Sequence, residues 1–186
     1  HFREEFTARV WATGYDFPAL IGGKVVKREF PGEKTPSMQA VALNQRRPQF
    51  RDARVRRAIA NCFDFEWIQR VLFFGSYERS QSNFERSDYK AEGLPSPGEL
   101  ALLEPLRAEL PPEVFGEAVT QPLSDGSGHD RKLLSAASKL LAEAGWKRTG
   151  SFVVNDKGER LRVEMLAEDD GIVRIFTPWS ENMKAI

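Results

Sequence analysis

The clearest pattern along the chain is an apolar stripe that follows Asp52 at the spacing of an α-helix. Aspartate is a favoured N-cap residue, so Asp52 is predicted to cap this helix. Asp64 is predicted to cap a second helix over residues 65–74, and Gly75 to end it. The stripe of the first helix consists of Val55, Ile59, Cys62 and Phe63, and the expected buried face of the second of Trp67, Ile68, Val71 and Leu72.

Apolar residues recur at helical spacing in three further segments. The first covers residues 2–13. The second is predicted to be capped near Ser96 and to stop at Pro111–Pro112, because proline cannot continue a helix. The third is predicted to be capped by Asp130 and to end at Gly145. Its broad stripe consists of Leu133, Leu134, Ala137, Leu140 and Leu141.

Alternating apolar and polar residues predict strands at three places. Residues 24–30 and 37–45 are each expected to form a half-buried strand, separated by a break at 31–36. Residues 151–166 are expected to form a hairpin around the turn sequence NDKG. Residues 76–92 are polar and aromatic, which indicates a surface excursion with short helical pieces.

Four arginines in seven positions open the first stripe, namely Arg51, Arg54, Arg56 and Arg57. Arg54 and Arg57 fall opposite the stripe, so they are interpreted as the solvated face of a core helix. A phosphate site is less favoured, because arginine near a helix N-terminus opposes the helix dipole. Contacts with a ligand or partner are instead expected from the loop arginines Arg46 and Arg47.

The composition argues for a folded protein of one domain or a little more. The chain has 186 residues, is 41% hydrophobic and carries 27 basic and 27 acidic residues, for a net charge of zero. This balance disfavours binding of DNA or an anionic membrane over the whole surface. No apolar run is long enough for a spanning helix. The chain starts without Met, and residues 180–186 resemble the first turns of a helix, so we expect a piece of a longer protein.

No sequence motif indicates a catalytic or metal centre. Ser127, His129 and Asp130 lie close together, but triad members are seldom sequence neighbours, so a helix-entry loop is the preferred interpretation. The histidines are His1 and His129 and the single cysteine is Cys62, which gives no metal-ligand spacing. Cys62 is expected to be a small buried hydrophobe rather than a nucleophile. No cofactor is expected.

Exposed aromatic side chains beside polar ones suit a ligand groove, in which rings give contact area and polar groups fix orientation. Tyr89 and the loop 44–47 belong to this pattern. The candidate ligand-binding residues are Asn44, Gln45, Arg46, Arg47, Tyr77, Arg79 and Phe84.

Several stretches together resemble the family 5 extracellular solute-binding proteins, and in particular their Yej-type oligopeptide-binding subgroup. The stretch around the Asp-x-Arg-Val-Arg motif, an Ala-x-x-Leu-Leu-x-x-Ala-Gly-Trp helix and the hairpin after it occur in the family's order and spacing. In this sequence the three are VALNQRRPQFRDARVRRAIANCFDFEWI, AASKLLAEAGWK and NDKGERLRVEML. Further similar stretches are WATGYDFPA, LFFGSYERSQSNFE and GLPSPGELALLEPLR.

The resemblance implies a binding protein and not an enzyme. Its fold class is α/β (mixed α+β), a partial lobe of a type II periplasmic-binding-protein-like fold with a mixed sheet flanked by helices. Residues 1–186 would form a single fragment covering much of the second, C-terminal lobe, with Asn44 at the end of a strand that crosses to the first lobe. The implied location is the periplasm. The implied partners are a peptide ligand, the first lobe of the same protein and the permease subunits of an ABC importer in the inner membrane, with no membrane-spanning segment and no nucleic acid.

Two other functions compete with the one that this resemblance implies. A nucleic-acid-binding module would use the basic stretch from Arg46 to Arg57 and would be retained on DNA or RNA in a salt-dependent way. A hydrolase would use Ser127 and His129 and would react with a serine-directed probe. The zero net charge and the apolar stripe speak against the first rival, and the missing G-x-S-x-G elbow speaks against the second.

Overall fold

A computed structural model describes residues 1–30, 32 and 38–186 of the chain. These residues belong to two compact units. The larger unit consists of His1–Arg28, Val41–Glu78 and Pro122–Ile186, and the smaller unit consists of Glu29–Ala40 and Arg79–Gln121.

The described residues are mostly helical, with one small sheet. The helices are α1 (Ala8–Thr13), α2 (Pro18–Ile21), α3 (Ala53–Asn61), α4 (Phe65–Val71), α5 (Pro97–Leu103), α6 (Arg131–Glu143) and α7 (Asp170–Ala185). Short 3-10 turns cover Pro48–Phe50, Glu104–Leu106 and Pro112–Phe115, and the strands are β1 (Lys147–Thr149) and β2 (Phe152–Val154). This agrees with a mixed class, whereas the wider mixed sheet of the predicted lobe is not among the described elements and stays a prediction.

The core of the larger unit lies where α3 packs against α6, and the indole of Trp179 in α7 joins it by donating a hydrogen bond to the carbonyl of Ile59 at 2.8 Å. The apolar stripe predicted from the sequence is confirmed for Val55, Ile59 and Cys62, which are each at most 3% exposed, while its fourth member, Phe63, is half-buried against the same core. Spacing at i, i+4 and i+7 places these side chains on one helix face, and burial of that face is what holds the short helix in place. The buried core residues are Phe50, Val55, Ala58, Ile59, Cys62, Leu134, Ala137, Leu141 and Trp179.

All three predicted aspartate caps are confirmed. The carboxylate of Asp52 accepts the N–H of Arg54, and the carboxylate of Asp64 accepts the N–H of Trp67. Asp130 accepts two N–H groups of the first turn of α6. Carboxylates in these positions satisfy donors that a helix N-terminus leaves free. The predicted ends were less accurate, because α4 stops at Val71 rather than residue 74.

Two helices near the ends of the larger unit have other bounds than the sequence predicted. The helix expected over residues 2–13 is confined to α1, and Phe2 and Phe6 are 76% and 82% exposed. The helix expected to begin at residue 180 begins ten residues earlier, at Asp170, with Asp169 as its cap. Pro178 lies inside this helix and hid it from the pattern, because an internal proline normally argues against a helix.

Neither of the strands predicted at 24–30 and 37–45 forms in the residues that the structure describes. Residues 24–30 and 38–43 have no strand hydrogen bonding, while Ser37 and most of the break at 31–36 lie outside the described residues. Val25 and Val26 are both exposed, so the alternation does not separate a buried from a solvated face. Alternation states which face a strand would bury, but a strand also requires a partner to share its backbone hydrogen bonds.

The predicted hairpin at 151–166 is shifted toward the N-terminus. β1 and β2 pair antiparallel, with Arg148 opposite Val153, so the two-stranded sheet turns at Gly150. β1 was missed because the sequence Lys-Arg-Thr is polar throughout. The predicted turn at 155–158 does form, but its second arm is reduced to one bridge between Val154 and Arg160.

The smaller unit is built around α5, whose N-terminus carries a capping box. The hydroxyl of Ser96 accepts the N–H of Glu99, and the Glu99 carboxylate accepts the N–H of Ser96, which confirms the predicted cap. The helix gives way to a 3-10 turn that ends at Leu106, before the predicted stop. The short helical pieces predicted within residues 76–92 are turns without helix.

Candidate functional site

The candidate residues at positions 44–47 form one exposed turn in the larger unit. The side-chain oxygen of Asn44 accepts the N–H of Arg46 at 3.1 Å, and its carbonyl oxygen accepts the N–H of Arg47 at 3.0 Å. Asparagine favours such a turn because its side chain replaces one backbone acceptor. Arg47 reaches Glu164 at 2.6 Å, and this hydrogen bond lowers the pKa of the Glu164 carboxyl. The turn is therefore fastened at one end, while Gln45 points a polar side chain to the surface.

Tyr77, also in the larger unit, contacts a different set of residues. Its ring packs edge-on against Phe73, with centroids 4.7 Å apart, and it is 43% exposed. The N–H of Tyr77 donates to the side-chain oxygen of Gln69, and the amide of Gln69 donates to the carbonyl of Tyr77. This reciprocal pair holds the segment after α4 against the helix that precedes it. The partly exposed ring has the character expected of a ligand contact.

Arg79 and Phe84 belong to the smaller unit. Phe84 is 55% exposed and its ring centroid lies 6.0 Å from that of Tyr89, which is itself 81% exposed. Arg79 is half-buried. The seven candidates thus fall into three groups with different contacts, and their combination in one ligand site stays a prediction.

The basic stretch at the start of α3 makes structural contacts. Arg54 binds the carboxylate of its own cap, Asp52, at 2.6 Å and the carbonyl of Glu143 at 2.6 Å. Hydrogen bonding with Arg54 lowers the pKa of Asp52. Arg56 donates to the carbonyls of Phe50 and Arg51 at 2.8 and 2.7 Å. Since these guanidinium groups close helix ends and a 3-10 turn, the interpretation as the outer side of a core helix is the better one.

The Ser127, His129 and Asp130 side chains do not converge as a hydrolytic triad would require. The Ser127 hydroxyl accepts the N–H of His129, and the carboxylate of Asp130 binds three main-chain N–H groups. His129 Nδ1 lies 2.9 Å from the side-chain oxygen of Asn182 and faces neither other member. Each group has a structural partner, as the sequence-based preference for a helix-entry loop expects.

The loop at 122–130 is held against α4 by buried polar groups. Asp64, 5% exposed, accepts the hydroxyl of Ser124 at 2.5 Å and the N–H of Gly128 at 2.7 Å. Arg70 donates to the carbonyl of Gly126 at 2.6 Å. Gly128 has a φ of +84°, and a Cβ there would lie 3.1 Å from the Trp67 indole. This network fixes the loop by satisfied hydrogen bonds, which are costly to lose in a buried position.

A cluster that the sequence analysis did not single out lies near the start of the larger unit. The rings of Trp11 and Tyr15 meet at an angle of 60° with centroids 5.5 Å apart. The ammonium of Lys27 lies 4.2 Å from the Trp11 ring centroid and 5.5 Å from that of Tyr15. The spacing of Trp11 and Tyr15 by four residues was the available signal, since it brings two rings to one helix end.

Other chemistry is limited in the part of the chain that the structure describes. There, no group of three or more His, Cys, Asp or Glu side chains is placed to hold a metal ion. Cys62 is buried, and burial raises the pKa of its thiol to about 12, so a nucleophilic role is disfavoured. A groove of about 330 Å³ in the larger unit includes Trp146 and Arg148, and one of about 250 Å³ in the smaller unit includes Lys90 and Glu117.

None of the described helices has the length and hydrophobicity that crossing a membrane requires.

Comparison with known proteins identifies the class. Residues 6–186 match the family described as bacterial extracellular solute-binding proteins, family 5 Middle, and the chain belongs to this family. It is a family of binding proteins rather than enzymes, and its description indicates a periplasmic or extracellular location. The resemblance stated from the sequence motifs is thereby confirmed.

Particular relatives are Yej-type proteins. The chain is 37% identical to the probable peptide-binding protein YejA of Agrobacterium fabrum, over 100% of the chain and 31% of that protein. It is 40% identical to the uncharacterized protein YejA of Escherichia coli, over 99% of the chain and 31% of that protein. It is 32% identical to the peptidoglycan-binding protein YepA of A. fabrum, over 95% of the chain and 29% of that protein. The chain therefore spans about a third or less of the length of these relatives.

Proposed function

We propose that the intact protein carrying this chain is the solute-binding component of an ABC importer. It captures oligopeptides in the periplasm and delivers them to permease subunits in the inner membrane. The chain contributes much of the second lobe, and a first lobe supplies the opposite wall of the ligand site. Closure of the two lobes by hinge motion buries the ligand and forms the surface that the permease binds.

The observation that supports this proposal most directly is family membership over residues 6–186, together with relatives described as peptide-binding and peptidoglycan-binding. Both descriptions name ligands that contain peptide bonds or short peptides. The described groups with catalytic potential, such as His129 and Cys62, have structural partners or are buried. Binding without chemistry is consistent with this arrangement.

In this proposal the ligand contacts come from the turn at 44–47 and from Tyr77, Arg79 and Phe84. Extended peptides are held largely through main-chain hydrogen bonds, while tolerant side-chain pockets accept varied residues. The exposed side chain of Arg46 suits the peptide carboxylate, because a guanidinium forms two parallel hydrogen bonds with it. Exposed tyrosine and phenylalanine rings suit apolar peptide side chains.

The test is isothermal titration of a mixed short-peptide pool into the intact protein and, in parallel, into residues 1–186 alone. We expect binding to the intact protein. Arg46→Ala, on the exposed turn, is expected to weaken that binding, with Arg174→Ala on the exposed side of α7 as the matched control. Absence of heat with the intact protein and every pool member contradicts the peptide assignment.

Residues 1–186 alone are expected to bind peptides with a dissociation constant of about 1 mM or weaker, because half of a two-walled site leaves most of the entropic cost of association uncompensated. A tight complex with this chain alone contradicts the two-lobe proposal. Retention of the chain on DNA or RNA that falls steeply with salt supports the nucleic-acid rival instead.

A further inference from the structure

We propose that Trp11 and Tyr15 form an ammonium-binding cage that Lys27 fills in the free protein and that the ammonium group of a bound peptide takes over. The assignment of a peptide as the source of that ammonium rests on the proposed function. The cage itself rests only on the geometry of the larger unit.

The walls of the cage are two aromatic rings set at an angle. Trp11 and Tyr15 lie with interplanar angle 60°, and Phe17 extends the aromatic surface, 6.2 Å from the Tyr15 centroid. A cation is attracted to ring faces within about 6 Å of the centroid, most strongly for tryptophan. Lys27 Nζ meets that condition for two rings at once. Such corners are how aromatic sites bind ammonium ligands.

Polar groups complete the site. The ammonium of Lys27 donates a hydrogen bond to the carbonyl oxygen of Trp11. The side chain of Glu5 is only 8% exposed, and its carboxylate accepts the hydroxyl of Tyr15 at 3.3 Å and the N–H of Thr7 at 3.1 Å. Glu5 thus holds the Tyr15 ring in place, and its own charge is paired with Arg3 at 3.4 Å. A main-chain acceptor and two ring faces together suit a primary ammonium ion.

Lys27, which occupies the cage in the free protein, can leave it without disrupting other structure. Lys27 lies in residues 24–30, a segment that forms neither helix nor strand. Two other residues of this segment, Val26 and Phe30, are 68% and 71% exposed. In the described residues the hydrogen bond of its ammonium goes to a carbonyl rather than to a carboxylate. Moving this side chain therefore breaks no secondary structure and no described ion pair. Lys27 acts as an internal competitor for the cage.

The competitor role determines the sign of the test. If a ligand ammonium replaces Lys27, then removing the lysine should strengthen cation binding, because the occupied fraction of the cage lowers apparent affinity. If Lys27 only packs against the rings, its removal should create no binding. The matched control is Lys24→Gln, which removes the same charge from an exposed lysine of the same segment.

The experiment uses the intact protein labelled with 5-fluorotryptophan, with the Trp11 signal assigned by Trp11→Phe. Tetramethylammonium chloride is titrated against sodium chloride at equal ionic strength. We expect Lys27→Gln to respond at roughly ten-fold lower tetramethylammonium concentration than the wild type and Lys24→Gln, from the usual strength of cation–π binding. Unchanged signals from Trp67, Trp146 and Trp179 establish that the variant is folded. Equal titrations of wild type and Lys27→Gln, or no response of Trp11, overturn the cage.

Peptide arms identify the source of the ammonium. Trialanine carries only an α-ammonium, N-acetyl-Ala-Lys-Ala only a side-chain ammonium, and N-acetyl-trialanine neither. A Trp11 response to one of the first two, absent with the third, supports the proposal and names the source. Calorimetric binding of all three without a Trp11 response overturns the inference and leaves the peptide function standing. No binding heat for any peptide, with tetramethylammonium still bound, contradicts the proposed function and leaves the cage standing.

Discussion

Asn182 offers the most direct test of how the larger unit is held together. Its side chain is 4% exposed and joins three parts of the chain. The amide donates to the carbonyl of Cys62, at the end of α3, at 3.1 Å and to the carbonyl of Gly128 at 3.0 Å. Its oxygen lies 2.9 Å from Nδ1 of His129. Asn182→Ala removes all three contacts and leaves two carbonyls without this donor.

The expected loss follows from those contacts. Each hydrogen bond contributes about 1 kcal/mol net, and an unsatisfied buried carbonyl adds to the loss, so Asn182→Ala should cost about 2–4 kcal/mol. Asn182→Leu keeps the volume but not the hydrogen bonds, so it should cost nearly as much. His129→Ala removes one contact and should cost about 1 kcal/mol. The exposed neighbour Glu181 is the control, and Glu181→Ala should change stability by less than about 0.5 kcal/mol.

Hydrogen exchange of the intact protein is the suitable assay, because it measures local opening and does not require that a protein of several parts unfold in one step. Amides of α3 and α7 should exchange about 30- to 700-fold faster in Asn182→Ala, the equivalent of 2–4 kcal/mol at 1.4 kcal/mol per factor of ten. If Asn182→Ala and Glu181→Ala exchange within about three-fold of each other in α3, this account of the hydrogen bonds is refuted.

Three further predictions concern single positions. Burial raises the pKa of Cys62 from 9.0 to about 12, so the thiol of the folded protein should resist thiol reagents at neutral pH. The stability that the buried neutral thiol contributes is complete below pH 9.0 and is lost as the pH rises toward 12. Comparing the alkaline unfolding of the wild type with that of Cys62→Ala measures this loss. Asp130→Ala should cost about 2 kcal/mol and Asp52→Ala about 1 in denaturant unfolding, because Asp130 accepts three N–H groups while 8% exposed, and equal losses contradict this. Gly128→Ala should lower the free energy of unfolding by about 2–3 kcal/mol in melting experiments, because φ is +84° and the Trp67 indole lies 3.1 Å from the new Cβ. Gly145 has a similar φ of +85° but nothing near its Cβ position, so Gly145→Ala should cost only about 1 kcal/mol.

The features predicted correctly from the sequence are those encoded within a few residues. Asp52, Asp64 and Asp130 each cap the helix that follows, because the side chain and the N–H groups it binds are two or three residues apart. The stripe from Val55 to Cys62 is buried because helical spacing alone places it on one face. For these features, the local pattern was sufficient.

The features predicted wrongly depend on contacts between residues that are distant in the sequence. A strand at 24–30 or 37–45 depends on a partner strand, and alternation contains no information about whether that partner is near. α7 was predicted ten residues too short because Pro178 is a helix breaker by local rules, while Trp179 and Asn182 bond to α3 about 120 positions away. Tertiary hydrogen bonds of this kind override local preference.

The candidate site shows the same division. The turn at 44–47 was predicted only in part, because the loop before Pro48 was recognised whereas Asn44 and Gln45 were assigned to the end of a strand. The approach of Lys27 to Trp11 could not, because sixteen residues separate them and the intervening chain has the alternation of a strand. Had residues 24–30 formed that strand, Lys27 would have been fixed by a ladder of backbone hydrogen bonds. The absence of the ladder in this segment leaves the lysine able to yield its place, which is the property that a ligand-displaced cation requires.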